Sequence, residues 1–187
     1  MSEAEKNLAI AIKRYLQEKG EDMNRNGVID TPNRFVKQLN ENLSGYSLDP
    51  KSMVKVFNCD DCEELICVKD IDFSSQCEHH ILPFVGKVNI AYLPDGKIMG
   101  LSKFARIAEA YAKRLQVQER LAKQIADVIE EALMPKLLIV QVVARHTCMV
   151  TRGVCKSNSL TETTIVRGDS NKYSHYINYF QNGAKLS

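Results

Sequence analysis

Two short stretches of the sequence concentrate side chains that can bind a metal ion. Cys77 and His80 are three residues apart, a spacing that places both on one side of a helical turn. His146 and Cys148 end an apolar run and, two residues apart, would share one face of a strand. Either motif alone is weak evidence, because cysteine and histidine are often ordinary core residues. Three of the four histidines lie in these two stretches, however, and this concentration predicts a shared metal site.

The residue types at this site predict both a metal and its chemistry. Cys77, His80 and Cys148 form a Cys2His set, which is the ligand composition of a catalytic zinc that keeps its fourth position open for water. This assignment leaves His79 and His146 without a ligand role. Imidazole groups beside a zinc-bound water are suited to proton transfer near neutral pH, because the ordinary histidine pKa lies close to that range. We therefore expect two proton carriers beside the metal.

Length, composition and charge limit the possible functions. The 187 residues are 44% hydrophobic, which is enough for one sizeable core, and we expect an N-terminal helical extension over residues 1–50 before a main domain over residues 51–187. The 25 basic and 23 acidic residues give a net charge of +2. Without a long basic tract, neither nucleic-acid nor membrane binding is expected as the main activity. Any anion-binding site must therefore be local.

We predict a cytoplasmic protein, because the chain shows neither a signal-peptide pattern nor an apolar run of membrane-spanning length. In that reducing compartment the six cysteines are expected to be thiols or metal ligands rather than three disulfides. Cys59 and Cys62 form a C-x-x-C motif without a second pair. We predict a turn there, with a redox site or a second metal site as the alternative.

The N-terminal residues predict two helices. Glu3–Lys19 carries apolar residues at helical spacing and is followed by Gly20, so an amphipathic helix that needs a covering surface is expected. Asp22–Asp30 resembles the start of a calcium-binding loop, but the acidic ligand of the twelfth position is missing, and we favour an Asx-rich turn with calcium as the alternative. Thr31 and Pro32 predict the N-cap and first residue of a second helix. Its expected inner face is Phe35, Leu39 and Leu43.

From Met53 onward the pattern predicts an α+β fold with an antiparallel sheet and two packed helices. The expected strands are Leu65–Val68, Ile71–Phe73, Lys87–Leu93, Leu137–Val143 and Thr161–Val166, with Lys97–Met99 forming a hairpin with Lys87–Leu93 through the turn at Pro94–Gly96. The expected helices begin with Ser102 as the N-cap and run to about Arg114, and then from about Val117 to Met134 before Pro135.

Two clusters indicate what the site could bind. Ser102, Lys103 and Arg106 at the start of a helix combine free backbone N–H groups with two cations, which suits an anion. Arg152 would join them if the strand through Cys148 continued unbroken, because the two residues are an even number apart. The alternative for each cluster is ordinary surface salt bridging.

The second cluster is Gln118-Glu119, between the two predicted helices. A carboxylate beside an amide suits a base edge with several donors, such as the N1–H and 2-amino group of guanine. Arg34 and Lys37, three residues apart further upstream, are by themselves typical of a solvated helix face.

Four segments of the sequence resemble successive signature segments of the GTP cyclohydrolase I family. They are Cys77–Lys87, Gly100–Arg106, Gln116–Arg120 and His146–Gly153, and Asp30–Arg34 resembles the family's upstream helix start. Order and spacing agree from about residue 5 to residue 168. The resemblance implies the tunnelling fold, in which sheets from several subunits form a barrel, and a homodecamer of two stacked pentamers. It also implies conversion of GTP and water to 7,8-dihydroneopterin triphosphate and formate.

The resemblance also implies roles for individual residues. It assigns Cys77, His80 and Cys148 to zinc, which activates water for attack at C8 of the purine. It gives proton transfer to His146, near the purine ring during opening, and to His79, at the leaving nitrogen. Guanine recognition is assigned to Gln118 and Glu119. The triphosphate is assigned to Ser102, Lys103, Arg106 and Arg152, with Arg34 and Lys37 supplied by a neighbouring subunit.

The C-terminal part of the sequence departs from the family pattern. The tail Arg167–Tyr176 does not resemble the acidic, arginine-containing helix usual in the family, and His175 within it is expected at the surface.

A related tunnelling-fold enzyme, the nitrile reductase of the 7-deazaguanine pathway, uses a nucleophilic cysteine and a nicotinamide cofactor without zinc, whereas the paired Cys/His stretches favour zinc. A non-catalytic zinc or nucleotide-binding module would need neither the two spare histidines nor a guanine-reading carboxylate.

Overall fold

A five-stranded sheet forms the centre of the larger part of the chain in the computed structural model, which describes residues 1–183. The order β5-β2-β3-β6-β7 is antiparallel throughout, except that β5 pairs with the end of β2 in parallel. A separate ribbon pairs β1 with β4. The strands are β1 (Val56–Asn58), β2 (Ile66–Cys77), β3 (Pro83–Leu93), β4 (Lys97–Met99), β5 (Leu115–Gln116), β6 (Leu137–His146) and β7 (Thr161–Gly168).

Two helices, α3 (Leu101–Ala112) and α4 (Gln118–Leu133), cover one face of this sheet. Because successive strand residues point to opposite faces, every second residue of β3 and β6 enters the core. Val88 and Val140 are among them, and they pack in one fully buried cluster with Leu121 of α4. Burial of each such aliphatic side chain contributes about 1.5–3 kcal/mol. The predicted α+β class, with an antiparallel sheet and two packed helices, is confirmed.

The boundaries of these two helices agree closely with the sequence pattern. α4 ends at Leu133, and Met134 follows in a left-handed conformation with φ 47°. α3 begins two residues earlier than predicted, with Gly100 at the N-cap position. Ser102 therefore lies inside the first turn, where no side-chain hydrogen bond caps the helix, and its predicted capping role is wrong.

The predicted hairpin between β3 and Lys97–Met99 is also wrong. β3 pairs with β2 on one side and with β6 on the other, so both of its edges are already occupied. The chain leaves the sheet at Pro94–Gly96, and β4 pairs with β1 instead. The chain does change direction at Pro94–Gly96, as the turn residues predicted. Local sequence could not show, however, that β2 and β6 would occupy both edges of β3.

β6 ends at His146, so Cys148 does not share a strand face with His146 as predicted, and the condition for Arg152 to join the site along an unbroken strand is not met. The next residues form the single-turn helix α5 (Thr147–Val150), in which the backbone N–H of Thr151 donates to the carbonyl oxygen of Thr147 at 2.9 Å. Residues of a helical turn do not alternate between two faces, so the even spacing of Cys148 and Arg152 has no meaning here. The hydroxyl of Thr147 donates to the carbonyl oxygen of Pro83 at 2.5 Å and holds the turn against the start of β3.

The first 44 residues form a compact unit of their own, Met1–Ser44, built from α1 (Glu3–Glu18) and α2 (Thr31–Asn42). The covering surface that α1 requires is supplied in part by α2, since the two helices pack together. In α2 the buried side chains are Pro32 and Val36, whereas Phe35, predicted on the inner face, is 41% exposed. No helix within residues 1–183 has the length and apolar character needed to cross a bilayer.

Local details of this unit follow the sequence. The Asp22 carboxylate accepts a hydrogen bond from the backbone N–H of Asn24 at 2.9 Å, so the predicted Asx turn is confirmed. α2 begins at Thr31 with Asp30, rather than Thr31, at the N-cap position. The second compact unit begins at Gly45. The division at residue 50 into an extension and a main domain stays a prediction.

The C-terminal helix α6 (Ser174–Gly183) covers part of the other face of the sheet. Its Phe180 is completely buried against Leu93 of β3 and Leu137 of β6. The tail thus forms a helix in spite of its unusual sequence, because Tyr176, Ile177 and Phe180 form an apolar stripe at helical spacing that packs on the sheet. His175 is exposed, as predicted.

On the part of the same sheet face that α6 leaves uncovered, polar side chains form a hydrogen-bonded row across three strands. The Asn89 amide donates to Gln141 at 3.0 Å, and the Gln141 amide donates to Glu162 at 2.8 Å, so the row links β3, β6 and β7. This row lines a cavity of about 1130 Å³ that also includes Lys87 and Arg145. None of the predicted site residues that the structure describes lines this cavity.

Cys59 and Cys62 lie in a turn, as predicted, but they form a disulfide. Their Cα atoms are 5.5 Å apart, within the range that a disulfide can join. The expectation of thiols or metal ligands is therefore wrong for this pair, because the two intervening aspartates form a turn that returns the chain on itself. The other four cysteines, among them Cys77 and Cys148, are free.

Gly86 allows β3 and β6 to approach each other close to the predicted metal site. A Cβ atom at this position would overlap the carbonyl oxygen of Val143 and would lie 2.7 Å from the Cα atom of Ala144. Both are backbone atoms of β6, so neither can move aside without displacing the strand.

We therefore expect Gly86→Ala to lower the free energy of unfolding by about 1–3 kcal/mol, the usual cost of overpacking. Urea unfolding of the variant measures this loss. The matched control is Gly27→Ala, where the added methyl group meets no atom within 4 Å. Equal unfolding midpoints for the two variants would contradict the close approach of the strands.

Candidate metal centre and active site

The first half of the site is the turn that follows β2. Cys77 ends the strand, and its carbonyl oxygen accepts hydrogen bonds from the backbone N–H groups of His80 at 3.2 Å and Ile81 at 2.8 Å. This single turn brings the Cys77 sulfur to 3.5 Å from Nδ1 of His80 and to 3.9 Å from Nδ1 of His79. Cys77 is buried, whereas both histidines are exposed at the rim. The predicted helical turn is confirmed.

The second half of the site comes from α5. Cys148 packs against the same core as Cys77. Burial raises the pKa of the Cys148 thiol, and the neighbouring Cys77 thiol raises it further, whereas the charge of Arg152 opposes the increase. The one-turn helix thus brings Cys148 beside Cys77, and Arg152 lies near Cys148 even though the strand does not continue.

These side chains fit a tetrahedral zinc ion. A sulfur ligand at about 2.3 Å and a nitrogen ligand at about 2.1 Å, separated by a tetrahedral angle, lie roughly 3.5 Å from each other. The distance between Cys77 and His80 is 3.5 Å. The ligand atoms of Cys77, His79 and His80 all lie within 4.8 Å of one another. The cluster of ligand atoms within this distance therefore contains His79, and Cys148, whose pKa the neighbouring Cys77 thiol raises, is the alternative third ligand.

His146 lies at the end of β6 with its ring in a fixed orientation. It stacks on Phe84, with ring centroids 4.6 Å apart and planes inclined by 5°, because the two residues are direct partners in the β3–β6 register. Its Nε2 atom lies 2.9 Å from the side-chain oxygen of Gln118. Burial lowers the pKa of His146, and the nearby Glu119 carboxylate opposes this shift. A neutral imidazole in this position can accept a proton.

The first turn of α4 completes the site with two residues of opposite character. Gln118 is 1% exposed, and its amide is bonded entirely within the protein. Glu119 is exposed and near His146. Of the pair predicted to recognise guanine, the Gln118 side chain is therefore directed into the protein, whereas the Glu119 side chain is available to a ligand.

An ion pair that the sequence analysis did not assign ties this helix to the metal-binding turn. Arg120 binds both carboxylate oxygens of Glu78, at 2.5 and 2.9 Å, and the backbone N–H of Glu78 donates to the carbonyl oxygen of Gln116. The hydrogen bond from Arg120 lowers the pKa of the Glu78 carboxyl group. Glu78 is also 3.9 Å from His79. Its position inside the Cys-Glu-His-His motif was the available signal for this role.

The predicted triphosphate residues are placed by three different elements. Lys103 and Arg106 lie on the first two turns of α3 together with Ser102, and Arg106 and Ser102 are exposed. Arg152 follows α5 and is exposed. Arg34 and Lys37 are exposed on α2 in the N-terminal unit, where Arg34 is 3.4 Å from Asp30.

Fold and site together define an α+β protein whose Cys/His cluster can hold a metal ion beside a partly buried histidine and an exposed carboxylate. Residues 8–184 match the family described as GTP cyclohydrolase I, so the chain belongs to this family. The match extends beyond residue 168, so the departure expected in the tail does not take it outside the family. The tunnelling fold expected from the resemblance is thereby supported by family membership as well as by the sheet and helix arrangement.

Relatives named GTP cyclohydrolase 1 are similar over most of the chain. The protein of Wolinella succinogenes is 49% identical over 150 residues, or 80% of either chain. That of Methylococcus capsulatus is 50% identical over 161 residues, covering 85% of this chain and 86% of its own. Among solved structures, an archaeosine synthase of QueF-Like type in the apo form matches with a TM-score of 0.48 and 19% identity, covering 56% of this chain and 94% of its own.

The Glu78–Arg120 pair generates a prediction about activity. Arg120→Ala frees the Glu78 carboxylate to rotate and to compete for His79, so we expect kcat to fall by roughly tenfold, as is typical when a positioned group is displaced. Steady-state kinetics with GTP measures the effect. The matched control is Lys123→Ala, which removes a surface ion pair with Asp127 on the same helix and should leave kcat unchanged. Equal kcat values for Arg120→Ala and Lys123→Ala would show that the Glu78–Arg120 ion pair has no effect on catalysis.

Proposed function

We propose that this enzyme opens the purine ring of GTP at C8 and rearranges the product to 7,8-dihydroneopterin triphosphate with release of formate. Family membership supports the reaction. The observation that carries the assignment to this site is the convergence of three segments: the turn at Cys77–His80, the end of β6 at His146 and the first turn of α4 at Glu119. Incubation with GTP, followed by oxidation and detection of pterin fluorescence, tests the reaction.

We assign Cys77, His80 and Cys148 as the zinc ligands. The 3.5 Å contact between Cys77 and His80 and the proximity of the two thiols support this set. When bound, zinc supplies the Lewis acidity that makes water nucleophilic at neutral pH. The alternative set with His79 would use both exposed histidines and leave one proton carrier fewer for the reaction.

The two remaining histidines carry protons in this proposal. His146, held flat against Phe84, is placed to exchange a proton with the purine during ring opening. His79, exposed at the rim of the metal-binding turn, assists protonation of the leaving nitrogen. Glu78, fixed by Arg120, lies between His79 and α4 and limits the movement of the turn.

Substrate recognition is assigned to groups on either side of these histidines. The Glu119 carboxylate accepts hydrogen bonds from the N1–H and 2-amino groups of guanine, since it is exposed beside His146. Lys103 and Arg106, with Ser102 on the first turns of α3, bind the triphosphate together with Arg152. The Gln118 amide, predicted to share the base edge, is instead bonded within the protein.

The proposal includes assembly into a homodecamer with active sites completed between subunits. Arg34 and Lys37 on α2 would then reach the triphosphate of a neighbouring copy, since both side chains are exposed and the Arg34–Asp30 pair is a surface contact that a ligand could replace. Apolar side chains exposed on the N-terminal unit, including Ile10 at 49% and Phe35 at 41%, would be covered by the same contacts. A cytoplasmic location stays a prediction. Sedimentation velocity at micromolar concentration tests the assembly, and a fully active monomer would contradict it.

The metal assignment predicts a separation between ligands and proton carriers. Cys148→Ser and His80→Ala should lose zinc and lower the stability of the fold, because metal binding is coupled to folding. His79→Ala and His146→Ala should keep one zinc per chain while the rate falls by about a hundred- to ten-thousandfold. Metal analysis of each purified variant, combined with the pterin assay, distinguishes the two groups. Loss of zinc from His146→Ala would show that the ligands are wrongly assigned.

The role of Glu119 predicts a specific loss of substrate use. Glu119→Gln places an amide NH2 group against the donors of guanine, and such a mispaired polar contact costs about 1–3 kcal/mol. We expect kcat/KM for GTP to fall by roughly five- to 150-fold with little change in thermal stability. The matched control is Glu64→Gln, an exposed glutamate remote in sequence from the site motifs. An unchanged kcat/KM would place the base-reading group elsewhere.

A further inference from the structure

Gln118 is enclosed by groups that determine how its amide is oriented. Its nitrogen donates to the carbonyl oxygens of Val142 and Thr161, each at 3.0 Å, and lies 3.2 Å from the hydroxyl oxygen of Thr163. Carbonyl oxygens can only accept hydrogen bonds, so the NH2 end of the amide must point towards β6 and β7. The amide oxygen is thereby left facing His146, at 2.9 Å from Nε2.

This orientation determines which ring nitrogen of His146 carries hydrogen. An amide oxygen can only accept, so the 2.9 Å contact requires a hydrogen atom on Nε2. A neutral imidazole carries one ring hydrogen, and Nδ1 is then the unprotonated nitrogen with a free lone pair. Stacking on Phe84 fixes the plane of the same ring. Tautomer and orientation of His146 are thus both set by neighbouring side chains.

We propose that Gln118 is a positioning residue, which holds His146 in the Nε2–H tautomer so that the imidazole accepts and returns the catalytic proton at Nδ1. The inference rests on the proposed role of His146 in opening the purine. The proton moves from the reacting molecule to Nδ1 and back, while the hydrogen on Nε2 stays bonded to Gln118 throughout. Gln118 itself touches no reacting atom.

The same contacts separate Gln118 from its neighbour in the sequence. Both amide hydrogens and the amide oxygen are already used within the protein, and the residue is 1% exposed. A base edge would have to break at least one of these buried hydrogen bonds to engage Gln118, at a cost that Glu119, which is exposed, does not incur. The geometry therefore gives base recognition to Glu119 alone.

A double-mutant cycle tests whether Gln118 acts through His146. Gln118→Met keeps the length of the side chain and removes the amide, so we expect kcat to fall by about ten- to a hundredfold with KM for GTP changed less than about twofold. In the His146→Ala background the same substitution should cost nothing further in kcat, because the group it positions is already gone. An equal loss of rate in both backgrounds, or a raised KM with unchanged kcat, would overturn the proposal.

A second measurement needs no turnover and is made on the full-length wild-type protein. Solid-state NMR of protein labelled with 15N-histidine distinguishes the two tautomers, and the His146 signals are identified by their loss in His146→Ala. We expect a protonated Nε2 and an unprotonated Nδ1 in the neutral ring. A hydrogen on Nδ1 instead would refute the inference whether or not Gln118→Met folds. Failure of the proposed function would appear separately, as a wild-type protein that makes no pterin from GTP.

Discussion

The pairing of β3 with β6 is the constraint on which the site depends. β3 begins directly after the turn that carries Cys77 and His80, and β6 ends at His146, just before Cys148. Their register sets Phe84 opposite His146, and the Thr147 hydroxyl bonds to the carbonyl oxygen of Pro83 at the same end. Because side chains alternate along a strand, a shift of one residue would turn His146 into the opposite face of the sheet. Two half-sites far apart in the sequence thus meet only in this register.

α4 adds a second constraint, since its first turn contacts both half-sites. Gln118 bonds to His146 and to the backbone of β6 and β7, while Arg120 binds Glu78 in the metal-binding turn. Three successive residues therefore have different surroundings: Gln118 bonds to a histidine, Glu119 is exposed and Arg120 binds the metal-binding turn. Gln118 is buried and fully bonded, and such a group defines a single arrangement, because any alternative leaves a donor or an acceptor without a partner.

Much of this arrangement follows from sequence pattern alone. The helices α3 and α4, the buried strand β6 and the Cys77–His80 turn depend on local spacing, and the structure has them close to where the pattern predicts. The partner of β4, the end of β6 and the disulfide between Cys59 and Cys62 were missed, since they depend on which strand edges are free and where the chain turns back. The division between Gln118 and Glu119 was missed for a similar reason. Adjacent helical residues differ in burial only once the helix has a sheet to pack on.

In the proposed zinc site, Cys148 rather than His79 joins Cys77 and His80 as the third protein ligand. Zinc X-ray absorption spectroscopy of the purified protein tests it most directly, because the number of sulfur neighbours at about 2.3 Å differs between the two ligand sets. We predict two sulfur atoms and one imidazole nitrogen per zinc, with one further light atom from solvent. One sulfur atom and two imidazole nitrogens would refute the ligand set with Cys148 and assign His79 to the metal.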